Sequence, residues 1–528
     1  MKYAHRQESV VRETWLSERK KILALYILPG VLSILLSFLL YLPVLNRYFV
    51  SDDFSVLYRV CVERIIYIKN FFRPLSDISI LMNYRLAGLS PAIFNAFNIL
   101  VHGINSYLVY LTCLFFGNRF GPDKKIGFAV FSSLIFLTYP FHNEAVVWLL
   151  GRGASLACLF CLLSVVCYYV VADNTVKTCL VCVFYFISMS AFESALLFPI
   201  LFISLLIFDR KNTVSLRNWT LFLSATLILH LYVRYRLAGS LMGTYGQYFF
   251  HAGIEIYFLN LAKTAGRLIL PPTPHAWLIT SVFFSLVALS AWFFLRNLKI
   301  IRISDAWRPI RFLSAMLLVS CAIPVVSGIS TQTSETDRAL YFPSVFLSMI
   351  IGLILVFGIK PRRNQLMLLL LILSYNVFFL EINNTHWMLA SRMTESSLTK
   401  MMGISGTEQG GGKVYFLNIP SEIAGAYAFR QGFGDALRIN RLDQKRFIAV
   451  NYLSRHDLEK LREKISVDPS QEKIQLPPDV LLRTDTLGCR MIYLHGKLTV
   501  HCLAGDRIFF WNMDHLEEIQ TCQIRKPV

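Results

Sequence analysis

The stretch ILALYILPGVLSILLSFLLYLPVL, Ile22 to Leu45, decides the fold class. It carries no charge from end to end. At about 1.5 Å of helical rise per residue it is long enough to cross a hydrocarbon core of about 30 Å. Arg19, Lys20 and Lys21 precede it and no small-x-small cleavage ending follows, so it reads as a retained membrane span. Further apolar runs lie at roughly 93–117, 126–140, 153–172, 178–192, 194–208, 219–236, 276–296, 312–329, 340–358 and 364–381, giving about eleven spans. Composition agrees over all 528 residues: 55% are hydrophobic, 16% are charged and the mean hydropathy is +0.51, too few charges to cover a water-facing surface. The expectation is a polytopic α-helical membrane protein of about 11 transmembrane helices.

Lys and Arg number 52 against 33 Asp and Glu, a net charge of +19. In a soluble protein that excess would suggest nucleic acid. In a membrane protein it reads first as cytoplasmic loops against anionic lipid. The N-terminal segment, Asn118 to Lys125, the loop with Arg210, Lys211 and Arg217, the stretch Arg296 to Arg311, and Lys360, Arg362 and Arg363 are short and basic. All five alternate correctly if they are cytoplasmic, which puts the loops 46–92 and 236–275 and the region after Leu380 on the opposite side. No Walker loop, Gly-rich dinucleotide loop or zinc spacing interrupts the runs, so energy and substrate come from something other than a bound nucleotide and no cofactor is predicted; the carboxylates could ligate a divalent metal, but none is predicted.

The domain reading is a cytoplasmic segment at 1–21, a transmembrane domain at 22–390 and a small soluble α/β domain at 394–528, with Gly410, Gly411 and Gly412 as a flexible joint. In the last, Lys413 to Asn418 reads as a strand, Leu458 to Ile465 as a charged helix, and Arg490 to Leu494 with Leu498 to Leu503 as a hairpin around His495 and Gly496. A two-residue turn there would set Cys489 opposite Cys502, where a disulfide and two unpaired thiols stand as even alternatives.

Charge placed despite its cost is the functional signal. Asp52 and Asp53 follow the first span directly, in a loop that is amphipathic from Tyr58 to Phe72 and suited to lying on the bilayer face. His142, Glu144 and Arg152 sit between two apolar runs, where helix capping and ion pairing compete with a role at a polar cavity. Glu193 lies between two spans, and Glu335, Asp337 and Arg338 stand before Tyr341. Arg234 and Arg236 end a span, where snorkelling explains them equally well. Lys263 and Arg267, four residues apart, share a helical face that would grip a phosphate, with snorkelling again the competing reading. Carboxylates and arginines at the mouths of spans suit transfer from a lipid phosphate to an acceptor hydroxyl: a carboxylate takes the hydroxyl proton, and arginines match phosphate oxygens.

Several patterns occur in order: Phe72-Arg73-Pro74-Leu75-Ser76; Asn83-Tyr84; Asn98, His102 and Asn105 with Leu108-Val109-Tyr110; Pro140, His142, Glu144-Ala145-Val146, Trp148 and Gly151-Arg152; and Asp337-Arg338, Tyr341 and Pro343-Ser344. Over roughly residues 20–390 the sequence resembles the membrane region of GT-C glycosyltransferases, most closely the transmembrane and TPR-containing O-mannosyltransferases and their bacterial relatives. The resemblance implies a polyprenyl-phosphate-linked sugar donor, transfer on the extracytoplasmic face, inversion at the anomeric carbon and no metal. The family's general base maps onto Asp52 or Asp53, with Asp52 preferred. The Arg of its late Glu-Arg-x-x-Tyr pattern maps onto Arg338, with Asp337 replacing Glu. The family's C-terminal repeat array, about 34 residues per unit, is absent, so the acceptor, whether protein, lipid-linked glycan or envelope polymer, does not carry over.

The reading is then a membrane glycosyltransferase of the bacterial inner membrane, N-terminus cytoplasmic and C-terminal domain periplasmic. Asp52 is its base and Asp53 its assistant. Arg73, Arg152, Lys263, Arg267 and Arg338 are candidates for the lipid phosphate, and His142 and Glu144 shape the donor site. A transporter or flippase and a catalytically inactive envelope scaffold are the alternatives; the former would show related halves or broken helices in equivalent positions, and no such repeat is found.

Overall fold

The computed structural model describes residues 23–209, 214–241, 253–273, 275–301, 307–407, 412–417, 419–450, 490–494, 497–501, 507–512 and 515–519. The chain divides into two compact units, one of residues 1–47 and 59–388, the other of residues 48–58 and 389–528.

The first unit is helical, and each apolar run lies in a helix. Its elements are α1 (Leu23–Leu40), then, after α2 of the second unit (Asp53–Leu57), α3 (Pro74–Ala87), α4 (Pro91–Phe116), α5 (Pro122–Thr138), α6 (Arg152–Val170), α7 (Asn174–Met189) and α8 (Phe198–Asp209). There follow α9 (Leu216–Ala238), α10 (Ile254–Arg267), α11 (Ala276–Ile301), α12 (Trp307–Ser320), α13 (Pro343–Leu353) and α14 (Arg362–Thr407), whose residues from Leu389 on belong to the second unit. Among the described residues, six helices are long and apolar enough to cross a membrane and three more are apolar but shorter. Eleven runs yield fewer full-length spans because several stop early: α8 has only 12 residues, and α5 opens on Asp123, Lys124 and Lys125. The chain is a multi-pass membrane protein, and its outward side chains fit that solvent: Leu35, Leu39, Leu370 and Leu371 are each about 60% or more exposed on helix faces that acyl chains would cover. Inside, α1 packs on α4, where the Ser37 hydroxyl donates to the Ile99 carbonyl at 2.8 Å.

The last helix runs 46 residues without a break, about 69 Å, roughly twice what the hydrocarbon requires. The sequence put a boundary at 390–394; the helix carries straight through it, because no proline or turn residue interrupts its backbone there, and contact density changes between Met388 and Leu389.

The second unit is an α/β fold around a four-stranded sheet of β1 (Val414–Leu417), β4 (Phe447–Val450), β7 (Arg507–Asn512) and β8 (His515–Ile519), in the order β4-β1-β7-β8. Between β1 and β4 come the short antiparallel pair β2 (Glu422–Ile423) and β3 (Ala426–Tyr427) and then α15 (Phe433–Ile439). β1 is parallel to both neighbours, pairing Val414 with Phe447 and with Arg507, which requires a crossover such as the segment holding α15 supplies. The rings of Phe416 and Phe509, both fully buried, stack at 5.3 Å across β1 and β7. A separate hairpin pairs β5 (Arg490–Leu494) with β6 (Lys497–His501), Leu494 opposite Lys497. Cys489, Cys502 and the expected helix at Leu458 to Ile465 lie outside the described residues.

The segment Tyr48–Tyr58, read from the sequence as part of the transmembrane domain, belongs to this second unit. Ser51 donates its N–H to the Ala428 carbonyl at 2.6 Å, the Tyr48 N–H goes to the Ser391 hydroxyl at 2.7 Å, and the Phe54 and Phe429 rings stack at 6.3 Å.

Candidate functional site

In the membrane unit the patterns seen separately in sequence are bonded to one another. Arg267, the last residue of α10, is fully buried and sets its Nη2 at 2.6 Å from both carboxylate oxygens of Asp337. Its Nε donates to the Ser330 carbonyl at 3.2 Å, and its guanidinium lies over the Phe141 ring. The next residue, Arg338, donates its backbone N–H to Glu144 Oε2 at 2.7 Å and bonds the other oxygen of that carboxylate through its guanidinium, which lies over the Trp148 ring. Glu144 is fully buried, whereas the Arg338 side chain keeps 16% exposure. Burial pushes the Asp337 carboxyl up to about 7, with Arg267 pulling the other way and Glu144 adding to the rise.

Arg152, at the start of α6, is also fully buried. It donates to the Asn83 side-chain oxygen at 2.8 Å, the Ser79 hydroxyl at 3.1 Å and the Phe94 carbonyl at 3.1 Å. Gly151 before it has a packing reason: a Cβ there would stand 1.6 Å from the Glu144 carbonyl oxygen, so only glycine lets the turn pass that close to the Glu144 backbone. Arg73, preceding Pro74 of α3, donates to Glu193 at 2.7 Å and stacks on Phe71 and Phe192; Arg234 reaches the other Glu193 oxygen at 3.2 Å. Burial alone would raise the Glu193 carboxyl, but Arg73 and Arg234 hold it down to about 2.

Neutral groups complete the arrangement. His142 and Ser344 are 2.8 Å apart, and because the Ser344 hydroxyl donates to the Tyr341 carbonyl, His142 Nε2 is the donor. Burial, helped by His102, pushes the His142 imidazole well below its ordinary range, so it stays uncharged. His102 Nε2 lies 3.1 Å from the Leu137 carbonyl and therefore donates to it, leaving Nδ1 to accept from the Tyr341 hydroxyl at 2.8 Å; Asn105 donates to that hydroxyl at 3.0 Å. His102 and Asn105 thus meet Tyr341, His142 meets Ser344 and Glu144 meets Arg338, so three stretches far apart in sequence are bonded to one another.

The acidic pair belongs to the second unit. Asp53 is fully buried and accepts the Val50 N–H at 3.1 Å, closing the turn that starts α2. Asp52, one residue before that helix, is half-buried and is the more accessible carboxylate. The turn is pinned by Gly432, whose φ of +78° and closeness to the Ser51 carbonyl, 2.4 Å for an added Cβ, both demand glycine.

Of the residues singled out in sequence, Glu144, Arg267 and Arg338 come together in the membrane unit, Arg73 and Arg152 each hold their own partners there, and Lys263 lies half-buried one turn before Arg267. Among the described residues Lys263 forms no ion pair, and Arg267 turns onto Asp337, so the two do not jointly grip anything. The reading missed the Glu193 bridge between Arg73 and Arg234, and the bidentate Arg59–Asp77 pair at 2.8 and 3.0 Å. The signal for the first was present, since a lone acid between two spans needs a cation. Among the described residues no three His, Cys, Asp or Glu side chains gather where a metal would sit.

Protein O-mannosyl-transferase TMTC1 from Mus musculus is 35% identical to this chain over 99 residues, 18% of the chain and 10% of that protein, and its Homo sapiens counterpart matches equally. Protein O-mannosyl-transferase TMTC2 from Mus musculus is 36% identical over 101 residues, 18% of the chain and 11% of that protein. Over that stretch the chain is similar to protein O-mannosyl-transferases. The motifs between Phe72 and Ser344 resemble the same family. The chain spans about a tenth of the length of these curated relatives. Among solved structures, ArnT from Cupriavidus metallidurans bound to undecaprenyl phosphate has a TM-score of 0.38 at 14% identity, covering 89% of this chain and 97% of that one. No family model matches the chain.

Proposed function

We propose that the chain is an integral membrane glycosyltransferase of the bacterial inner membrane. It moves a sugar from a polyprenyl-phosphate-linked donor to an acceptor hydroxyl on the periplasmic face. The observation that carries this reading is the buried array of Arg338 on Glu144 and Arg267 on Asp337 beside the ends of spans, where charge has no structural bargain to offer that apolar packing would not match. The similarity to protein O-mannosyl-transferases supports the same class.

In this mechanism the acceptor oxygen bonds to the anomeric carbon as that carbon's bond to the phosphate oxygen breaks, with inversion. The hydroxyl proton passes to Asp52, the more accessible acid, and Asp53 holds the turn that aims it. The electron pair leaves on the polyprenyl phosphate, whose growing charge Arg338 meets, being the cation of its pair that keeps exposure. Arg73, Arg152, Lys263 and Arg267 are further candidates for the phosphate, and His142 and Glu144 shape the donor site. No metal enters any step.

The test incubates the purified protein with radiolabelled polyprenyl-phosphate sugars and a membrane extract. Wild type should label an acceptor, and Asp52→Asn should cut transfer about 10²–10⁴-fold at unchanged expression. Transfer at the wild-type rate by Asp52→Asn would remove Asp52 as base.

A further inference from the structure

At the ends of the spans farthest from Arg152 and Arg338, a polar cavity opens. α6 begins at Arg152 and ends near Tyr168 and Tyr169, about 25 Å along the helix, and those two tyrosines line a cavity of about 490 Å³. Its charged lining comes from four separate elements: Arg119 after α4, Lys177 in α7, Asp209 at the end of α8 and Arg308 in α12. Three cations face one carboxylate.

That carboxylate is already used, since Arg119 bonds Asp209 at 2.7 Å while stacking on Phe116 and Phe208 at 4.5 Å each. Lys177 is only 7% exposed, yet its ammonium has the Asn174 side-chain oxygen at 3.4 Å and the Tyr168 ring at 5.8 Å, and among the described residues it has no acid partner. A buried ammonium without a carboxylate is costly unless an anion joins it. Arg308, exposed, has its guanidinium 5.1 Å from the Phe208 ring centre and donates to the Phe208 carbonyl at 3.3 Å. Phe116 and Tyr169 are shared with a second cavity, a slot between α4, α6, α8, α12 and α13 lined, among the described residues, by no charged side chain. The slot holds only about 60 Å³, less than an acyl chain fills, but Val170 and Ile207, next in sequence to Tyr169 and Phe208, are 59% and 57% exposed and give the anion seat an apolar flank on which a hydrocarbon tail can lie.

We propose that this cavity is a binding site for an anionic phospholipid, its phosphate among Lys177, Arg119 and Arg308 and its acyl chains along the exposed apolar flank beside it. The site is independent of the glycosyl-transfer reading, lying at the opposite ends of the spans from the groups proposed to meet the donor. Basic recesses between span ends are where anionic headgroups bind best.

The test is native mass spectrometry of the full chain from micelles containing equal phosphatidylglycerol and phosphatidylcholine. Bound phosphatidylglycerol should exceed phosphatidylcholine about tenfold, and Lys177→Ala and Arg308→Ala should each lower that enrichment about fivefold, the factor for one cation at an anionic surface, while Lys177→Arg keeps it. Arg308 is exposed, so its alanine variant reports even if Lys177→Ala fails to fold. Equal retention of the two lipids overturns the proposal, as does enrichment unmoved by Arg308→Ala. Displacement of phosphatidylglycerol by millimolar inorganic phosphate would make this a free-anion site, and preferential retention of polyprenyl phosphate a second donor or product site; either also overturns it.

Discussion

Arg338 and Glu144 are 194 positions apart in sequence and share one bond network. Removing one partner of such a pair strands the other in a dry site, so Arg338→Ala should destabilise the membrane unit by about 3–5 kcal/mol, read as a fall in thermal midpoint in detergent. Arg338→Lys, which keeps the charge and loses the fork, should recover part of that stability and little of the transfer. Glu193 provides a pH signature. Its folded carboxyl sits at about 2 against an ordinary 4.5, so the unfolded chain binds the proton more readily. The stability it contributes is complete above pH 4.5 and drains away as pH falls toward 2. Glu193→Gln should flatten that acid limb of the stability profile, whatever its effect at pH 7; an unchanged limb would show that the Arg73 and Arg234 contacts do not hold the carboxyl down. At this scale the residue types were legible in sequence and their partners were not. His142, Arg152 and Arg338 announce themselves as costly at their depth, but the chain alone does not say that Ser344, Asn83 and Glu144 receive them.

Among the elements, the short turns between spans hold the most information per residue. The Pro140 to Arg152 segment links His142 to Ser344, Glu144 to Arg338 and Gly151 to the Glu144 carbonyl within one connection between helices. Gly151→Ala must push α6 away from that carbonyl, and overpacking of this kind costs about 1–3 kcal/mol. Tyr341→Phe tests the neighbouring network. It takes one of the two acceptors of the Asn105 amide, leaving the Ser155 carbonyl, and leaves His102 Nδ1 without a donor, a loss of about 1–3 kcal/mol measurable by thermal unfolding. Helices were the most readable elements, because every apolar run is continuous and hydrophobicity adds up locally. The number of full spans was less readable, since α8 is short and α5 opens on charges, and span length depends on where the backbone turns.

Across the whole molecule, the acidic segment and the C-terminal region form one unit though more than 300 residues separate them. Ser51, Phe54 and Gly432 make the joint, so deleting the chain after Met388 should leave Ser51–Leu57 without its partners and raise amide exchange there sharply. Unchanged exchange would mean that the segment holds its turn unaided. From the sequence alone came a helical membrane protein and the residues whose charge has to be explained, because apolar length and isolated charge are local properties that every position declares for itself. Tertiary structure alone decided that Asp53 closes a turn while Asp52 keeps some exposure, that Arg267 answers Asp337, and that Lys177 forms no ion pair among the described residues. Those outcomes depend on which distant helices share a face, and the dry interior makes each such pairing nearly all or nothing: a buried charge either finds its counterpart or forces the packing to change.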